Sequence, residues 1–201
     1  MYRRHYFPSD ADDIWDLNKI EVLLHCYEIY PNTVFAFSDG RIINENGIEI
    51  GKSMYEEWGY KESCNNAIKL SSLSLQRKMC AHGMLCCFKK ALFEQAEPFL
   101  TNIGHDEWLS MISSCFGEVR FVNQPLVSYR RHGSNTSGNR PSIWRRLIEW
   151  DREGWFTHAD DVRMANEVYL KRYSAISPPE LIEIATNQVQ FQGVLTKITK
   201  R

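Results

Sequence analysis

An excess of either charge is the first thing this sequence lacks. Its 24 Lys and Arg face 25 Asp and Glu, leaving a formal net charge of −1 over 201 residues. A protein that held nucleic acid by its phosphates would need a basic surplus, so that class is excluded as the main activity. No apolar run approaches the ~20 residues that span a bilayer. The start has no charged, then apolar, then small-residue succession of a secretion signal. Internal repeats and low-complexity tracts are absent. The six cysteines, Cys26, Cys64, Cys80, Cys86, Cys87 and Cys115, contain no C-x-x-C pair, which argues against a structural zinc site. Cys86 and Cys87 sit in an apolar run, so buried, reduced thiols in a cytoplasmic chain are expected, with the inner membrane face as an alternative address.

What is present is a chain that is 43% hydrophobic, enough for one well-cored domain. The pattern predicts a short strand over 1–8, an acidic loop over 9–13 and a helix over 13–29, from Ile14, Leu17, Ile20, Leu24 and Tyr27 at helical spacing. A β-rich stretch follows from Thr33 to Ser38, and Asn46-Gly47 between Arg41-Ile42-Ile43 and Ile48-Glu49-Ile50 predicts a hairpin. Further expectations are a helix over 65–79, an inner strand over 84–88 and a short helix over 89–95. A helix over 105–116 is expected to close on Gly117 in left-handed backbone. Two strands, around 119–121 and 125–131, precede a polar loop over 134–141. From Ile143 the chain reads as helical, with a break at Ser177-Pro178-Pro179. Mixed strands and helices favour an α/β class.

Three segments invite a chemical reading. Asp10, Asp12 and Asp13 crowd one loop. Helix capping accounts for one or two carboxylates, at ~1 kcal/mol for an N-cap. Three in four positions repel unless a cation lies among them, and hard oxygen donors suit Mg²⁺ or Mn²⁺. Both readings stand on spacing alone. Gly104-His105-Asp106-Glu107-Trp108 opens a helix. It is either an acidic first turn with Trp108 facing the core, or a rigid carboxylate that takes a proton from an attacking hydroxyl. Tyr129-Arg130-Arg131-His132 ends a strand, either as a solvated basic end or as charge set against a leaving phosphate.

The order of these segments carries a resemblance. Ser9-Asp10-Ala11-Asp12-Asp13-Ile14-Trp15 followed by Asn18-Lys19-Ile20, then His105-Asp106-Glu107-Trp108, then Tyr129-Arg130-Arg131-His132 through Asn135 to Gly138, resembles family-two glycosyltransferases, notably the rhamnosyltransferase-like branch. The resemblance covers residues 6–138 and implies that 1–138 is the back half of a nucleotide-diphospho-sugar transferase (GT-A-like) fold, with 139–201 a helical extension. It implies inverting transfer of a sugar from a nucleotide-diphosphate donor to a glycan acceptor, such as one in a cell-surface polysaccharide. Asp12, Asp10 and His132 would hold Mg²⁺ or Mn²⁺. Asp10, Asp12, His132, Arg130 and Arg131 would face the donor diphosphate, and Asp13 would cap the helix from Ile14. Asp106 would be the base, with Gly83, His105 and Trp108 beside the acceptor. The segment that grips base and ribose in that family has no counterpart here. The resemblance therefore implies a partial catalytic domain that self-associates or takes a separate N-terminal chain, with peripheral membrane association an alternative. Two rivals stand: a sugar- or partner-binding module without turnover, and a metal-dependent phosphate hydrolase.

Overall fold

A computed structural model describes residues 4–57, 66–76, 81–132 and 152–199, with backbone alone for 152–159 and 195–199. The fold is mixed α/β. Five strands, β1 (His5–Tyr6), β2 (Ile14–Trp15), β3 (Thr33–Ile43), β4 (Cys86–Lys89) and β5 (Glu118–Arg130), form one sheet in the order β1-β4-β3-β5-β2. β3 and β5 run parallel, and the other three pairings are antiparallel.

β3 is central because its sequence permits it. Val34-Phe35-Ala36-Phe37 is apolar on both faces, as a strand covered on both sides must be, and residues 33–40 are all buried. At its far end the hairpin forms at Asn46-Gly47. Gly47 takes φ +81, and the Asn44 side chain accepts from the Asn46 and Ile48 N–H groups.

The two strands expected between 119 and 131 are one strand, β5, irregular where it steps from Val122 to Pro125 while its partner β3 steps only from Ser38 to Asp39. Pro125 has no N–H to offer the ladder, so the strand shifts register there instead of ending.

Among the described residues the helices are α1 (Lys19–Ile29), α2 (Met54–Glu57), α3 (Ala67–Leu75), α4 (Lys90–Ala96), α5 (His105–Ile112), α6 (Arg152–Tyr173) and α7 (Pro179–Thr199), with 3₁₀ turns at Gly83–Leu85 and Ser113–Cys115. α1 starts six residues later than expected at 13. Ile14 and Trp15 pair with Ser128 and Val127 in the sheet, and Leu17 and Ile20 face solvent. The buried stripe of α1 is Lys19, Leu23 and Tyr27. Gly117 is not left-handed. A Cβ there would sit 2.6 Å from the Asn32 carbonyl oxygen and 2.6 Å from a Val34 methyl, so close approach of β3 selects glycine.

α6 and α7 share the main core. Tyr169, Tyr173, Leu181 and Ala185 pack in one cluster with Phe35, Phe37, Trp108 and Leu109. Asn166 donates to the Leu75 carbonyl and Tyr173 to that of Gln95. The polar loop expected over 134–141 lies outside the described residues.

Candidate functional site

The acidic loop is joined to the end of β5. His132 Nε2 lies 2.8 Å from Asp12 Oδ2, a contact between residues 120 positions apart that the fold creates by pairing β2 with β5. That hydrogen bond holds the Asp12 carboxyl below its ordinary range. Asp13 Oδ1 accepts the Arg130 backbone N–H at 3.0 Å. Asp13 therefore anchors the strand end and does not cap a helix from Ile14, because that helix does not begin there. Its Oδ2 is buried and has no hydrogen-bond partner among the described residues. Burial, with Asp10 and Asp12 adding repulsion, pushes the Asp13 carboxyl up to about 6. Asp10 lies exposed on the same loop.

The two arginines are engaged by protein. Arg130 Nε donates to the Asp12 carbonyl at 3.1 Å and its Nη1 to the Glu45 carbonyl at 2.9 Å. Arg131 pairs with Glu57 at 2.8 Å. The family resemblance implies that both face a diphosphate; in the structure the first ties the acidic loop to the hairpin, and the second ties β5's end to α2.

The second centre lies at the start of α5. Asp106 is its second residue. Asp106 Oδ2 accepts the Gly83 N–H at 2.8 Å, and Oδ1 accepts the Glu107 N–H at 2.9 Å. Two glycines leave room for this carboxylate. A Cβ on Gly104 would sit 2.4 Å from Asp106 Oδ1, and one on Gly83 would sit 3.2 Å from His105 Nε2. His105 is exposed beside them. Gly83, His105 and Asp106 thus form one cluster. Trp108 does not join it: fully buried, it donates from Nε1 to the Ala96 carbonyl and packs against Tyr173. Its assignment to an acceptor pocket is corrected, because a helix turns by about 100° per residue and carries Trp108 away from Asp106 into the core.

Lys19 links the two centres, and the sequence reading gave it no role. It is fully buried, its Nζ donates to the Met84 carbonyl at 2.5 Å, and it lies 3.4 Å from the centre of the Trp15 ring. Met84 follows Gly83, which holds Asp106. Burial pulls the Lys19 ammonium down to about 8, against the opposing pull of Cys86, Cys87, Asp13 and Asp10. The available signal was one cation on the α1 stripe Lys19, Leu23, Tyr27, at the i, i+4, i+8 positions of a buried face.

No family model and no curated protein matches this chain.

Among the described residues no three His, Cys, Asp or Glu side chains converge as a ready metal cage. A Mg²⁺-type ion does not require one, since it is held by one or two carboxylates with waters and substrate phosphates. The exposed Asp10, the half-buried Asp12 and the Asp13 oxygen left without a partner among the described residues are hard donors that fit such an ion. A groove of 1250 Å³ lies elsewhere, lined by Arg4, His5, Leu17, Ile20, Leu24 and Lys90 among others, and includes none of Asp10, Asp12, Asp106 or His132.

Proposed function

We propose that this chain carries the diphosphate and acceptor side of an inverting glycosyltransferase site on a GT-A-like framework. The observation that supports it is a convergence. Asp12 meets His132 across 120 residues, and Lys19, at the other side of the acidic loop, holds the turn that positions Asp106. The Asp12–His132 bond and the relay from Lys19 through Met84 and Gly83 to Asp106 connect four stretches of sequence, at 12–19, 83–84, 106 and 132.

In this reading Asp10 and Asp12 would hold Mg²⁺ or Mn²⁺, which when bound supplies positive charge beside the donor diphosphate. His132 keeps the Asp12 carboxylate ionised and oriented. Asp106 accepts the proton of the acceptor hydroxyl as that oxygen bonds to the anomeric carbon. The carbon–oxygen bond to the diphosphate breaks with its electron pair leaving on the nucleotide. The fixed N–H groups of Gly83 and Glu107 hold the carboxylate still, and the exposed His105 borders the acceptor side.

A module that binds sugar or nucleotide without turnover is the second reading. It is favoured by the engagement of Arg130 and Arg131 with protein groups. Incubation of the purified chain with Mn²⁺, a panel of UDP-, GDP- and TDP-sugars and glycan acceptors, with detection of released nucleoside diphosphate and new glycan, tests the two. Transfer that needs Mn²⁺ and falls about 10²–10⁴-fold in Asp106→Asn supports transfer chemistry. Donor binding by calorimetry with no released diphosphate supports the binding module.

A further inference from the structure

Lys19 has no exposed surface. Removing an ammonium from water costs several kcal/mol unless good partners replace the water. Among the described residues those partners are one carbonyl, that of Met84, and the face of Trp15, whose cation–π attraction returns part of that cost. An apolar side chain of the same length would fill the stripe beside Leu23 and Tyr27 without that cost. What it would not do is grip the turn. Met84 lies inside the 3₁₀ turn Gly83–Leu85, where the Gly83 N–H donates to Asp106 and the Leu85 N–H donates to the His82 carbonyl. Asp10 and Asp13 act on the ammonium from the acidic loop, and Cys86 and Cys87 act on it from β4.

We propose that Lys19 is a positioning residue: through the Met84 carbonyl and the adjoining Gly83 N–H it sets the Asp106 carboxylate in a defined relation to the acidic loop. Its bearing on catalysis rests on the reading of Asp106 as the group that activates the acceptor; the coupling itself does not. The ammonium that partly neutralises Asp10 and Asp13 also holds the support of the carboxylate that would receive the acceptor's proton.

The coupling is measurable without substrate. With [¹⁵N]glycine labelling, the Gly83 amide is found among the 11 glycines as the signal missing from Gly83→Ala, and Asp106→Asn shows where it moves when its carboxylate acceptor is removed. In Lys19→Met the Gly83 signal is expected to move toward its Asp106→Asn position while thermal melting stays cooperative, and in Lys19→Arg, which keeps a charge and donors, to return in part. An unmoved Gly83 signal in a folded Lys19→Met protein overturns the proposal. Should Lys19→Met not fold, the wild-type chain answers alone. As the pH rises through about 8 and Lys19 loses its proton, the Met84 carbonyl ¹³C and Gly83 amide signals are expected to move together. Met84 moving alone, or neither moving, overturns the proposal. Because no donor or acceptor is used, an intact coupling beside absent sugar transfer would fault the transferase reading and leave the role of Lys19 standing.

Discussion

The sharpest residue-scale feature is a missing methyl. Gly104 has ordinary extended backbone, φ −63 and ψ 145, so alanine fits the main chain without strain. Its Cβ would nevertheless sit 2.4 Å from Asp106 Oδ1, and the group that must yield is the carboxylate. Gly104→Ala is therefore expected to change stability by no more than about 0.5–1 kcal/mol yet swing Asp106 off the Gly83 N–H. A nearly unchanged melting temperature, a Gly83 amide signal moved toward its Asp106→Asn position, and at least about a tenfold drop in any transfer rate are the three expected results. A large loss of stability with the Asp106 signature intact would show that the glycine serves the helix start. At this scale the sequence was only partly legible. Asp106 and His132 could be picked out by their place in a motif. Trp108, two residues after Asp106 in the same motif, could not be placed, because helical rotation decides whether a residue lines a cleft or fills a core, and the first-turn boundary has to be known to count that rotation.

At the scale of elements, the misreading of 13–29 shows where periodicity fails. Ile14, Leu17, Ile20 and Leu24 match a helical face, but Ile14 is in a strand and Leu17 and Ile20 are exposed. The pairing of Ile14–Trp15 with β5 is a long-range choice that no local window contains. A two-residue strand needs added support, and Asp16 supplies it. Its backbone N–H donates to the Leu126 carbonyl at 3.0 Å, and its carboxylate takes both Arg41 Nη groups, at 2.7 and 2.8 Å. Both side chains are about 30% exposed, so the fork is worth nearer ~1 kcal/mol than a buried pair would be. Arg41→Ala is expected to lower stability by about that amount. It should also speed hydrogen exchange at the Asp16 amide while the Ala36 amide in the middle of β3 stays protected. Equal acceleration at both sites would mean that β2 has no local opening of its own. By contrast β3, the hairpin and α4 were readable, since each is dictated by short-range features: an apolar run, an Asn-Gly turn and a short apolar period.

For the whole molecule the informative variable is alkaline pH, because the sheet buries groups that must keep their protons. Burial raises the Cys86 thiol and the Tyr27 hydroxyl well above their ordinary values and pushes Cys87 up to about 12. The Tyr27 hydroxyl donates to the Cys87 carbonyl at 2.6 Å, which locks α1 to β4. When unfolded, the thiols release their protons from about pH 8.5; when folded they do not. The folded state then binds more protons, so stability is fully present below that pH and falls as pH rises. Lys19 acts in the opposite direction. It sheds its proton near pH 8 when folded and retains it to higher pH when unfolded, so its contribution grows with pH over that interval. One lysine against two thiols and a tyrosine leaves the fall dominant, with its onset softened just above pH 8. Urea unfolding at a series of pH values from about 7 to about 11 is expected to show stability level at first and then declining, each buried thiol contributing at most about 1.4 kcal/mol per pH unit. Cys87→Ala should start less stable, from its cavity, but decline less steeply. Lys19→Met should decline sooner. A profile that is flat to pH 11 in the wild type, or that keeps the same slope in Cys87→Ala, would mean that β4 is open to solvent and does not form the interior strand on which the acidic loop and the Asp106 turn both depend.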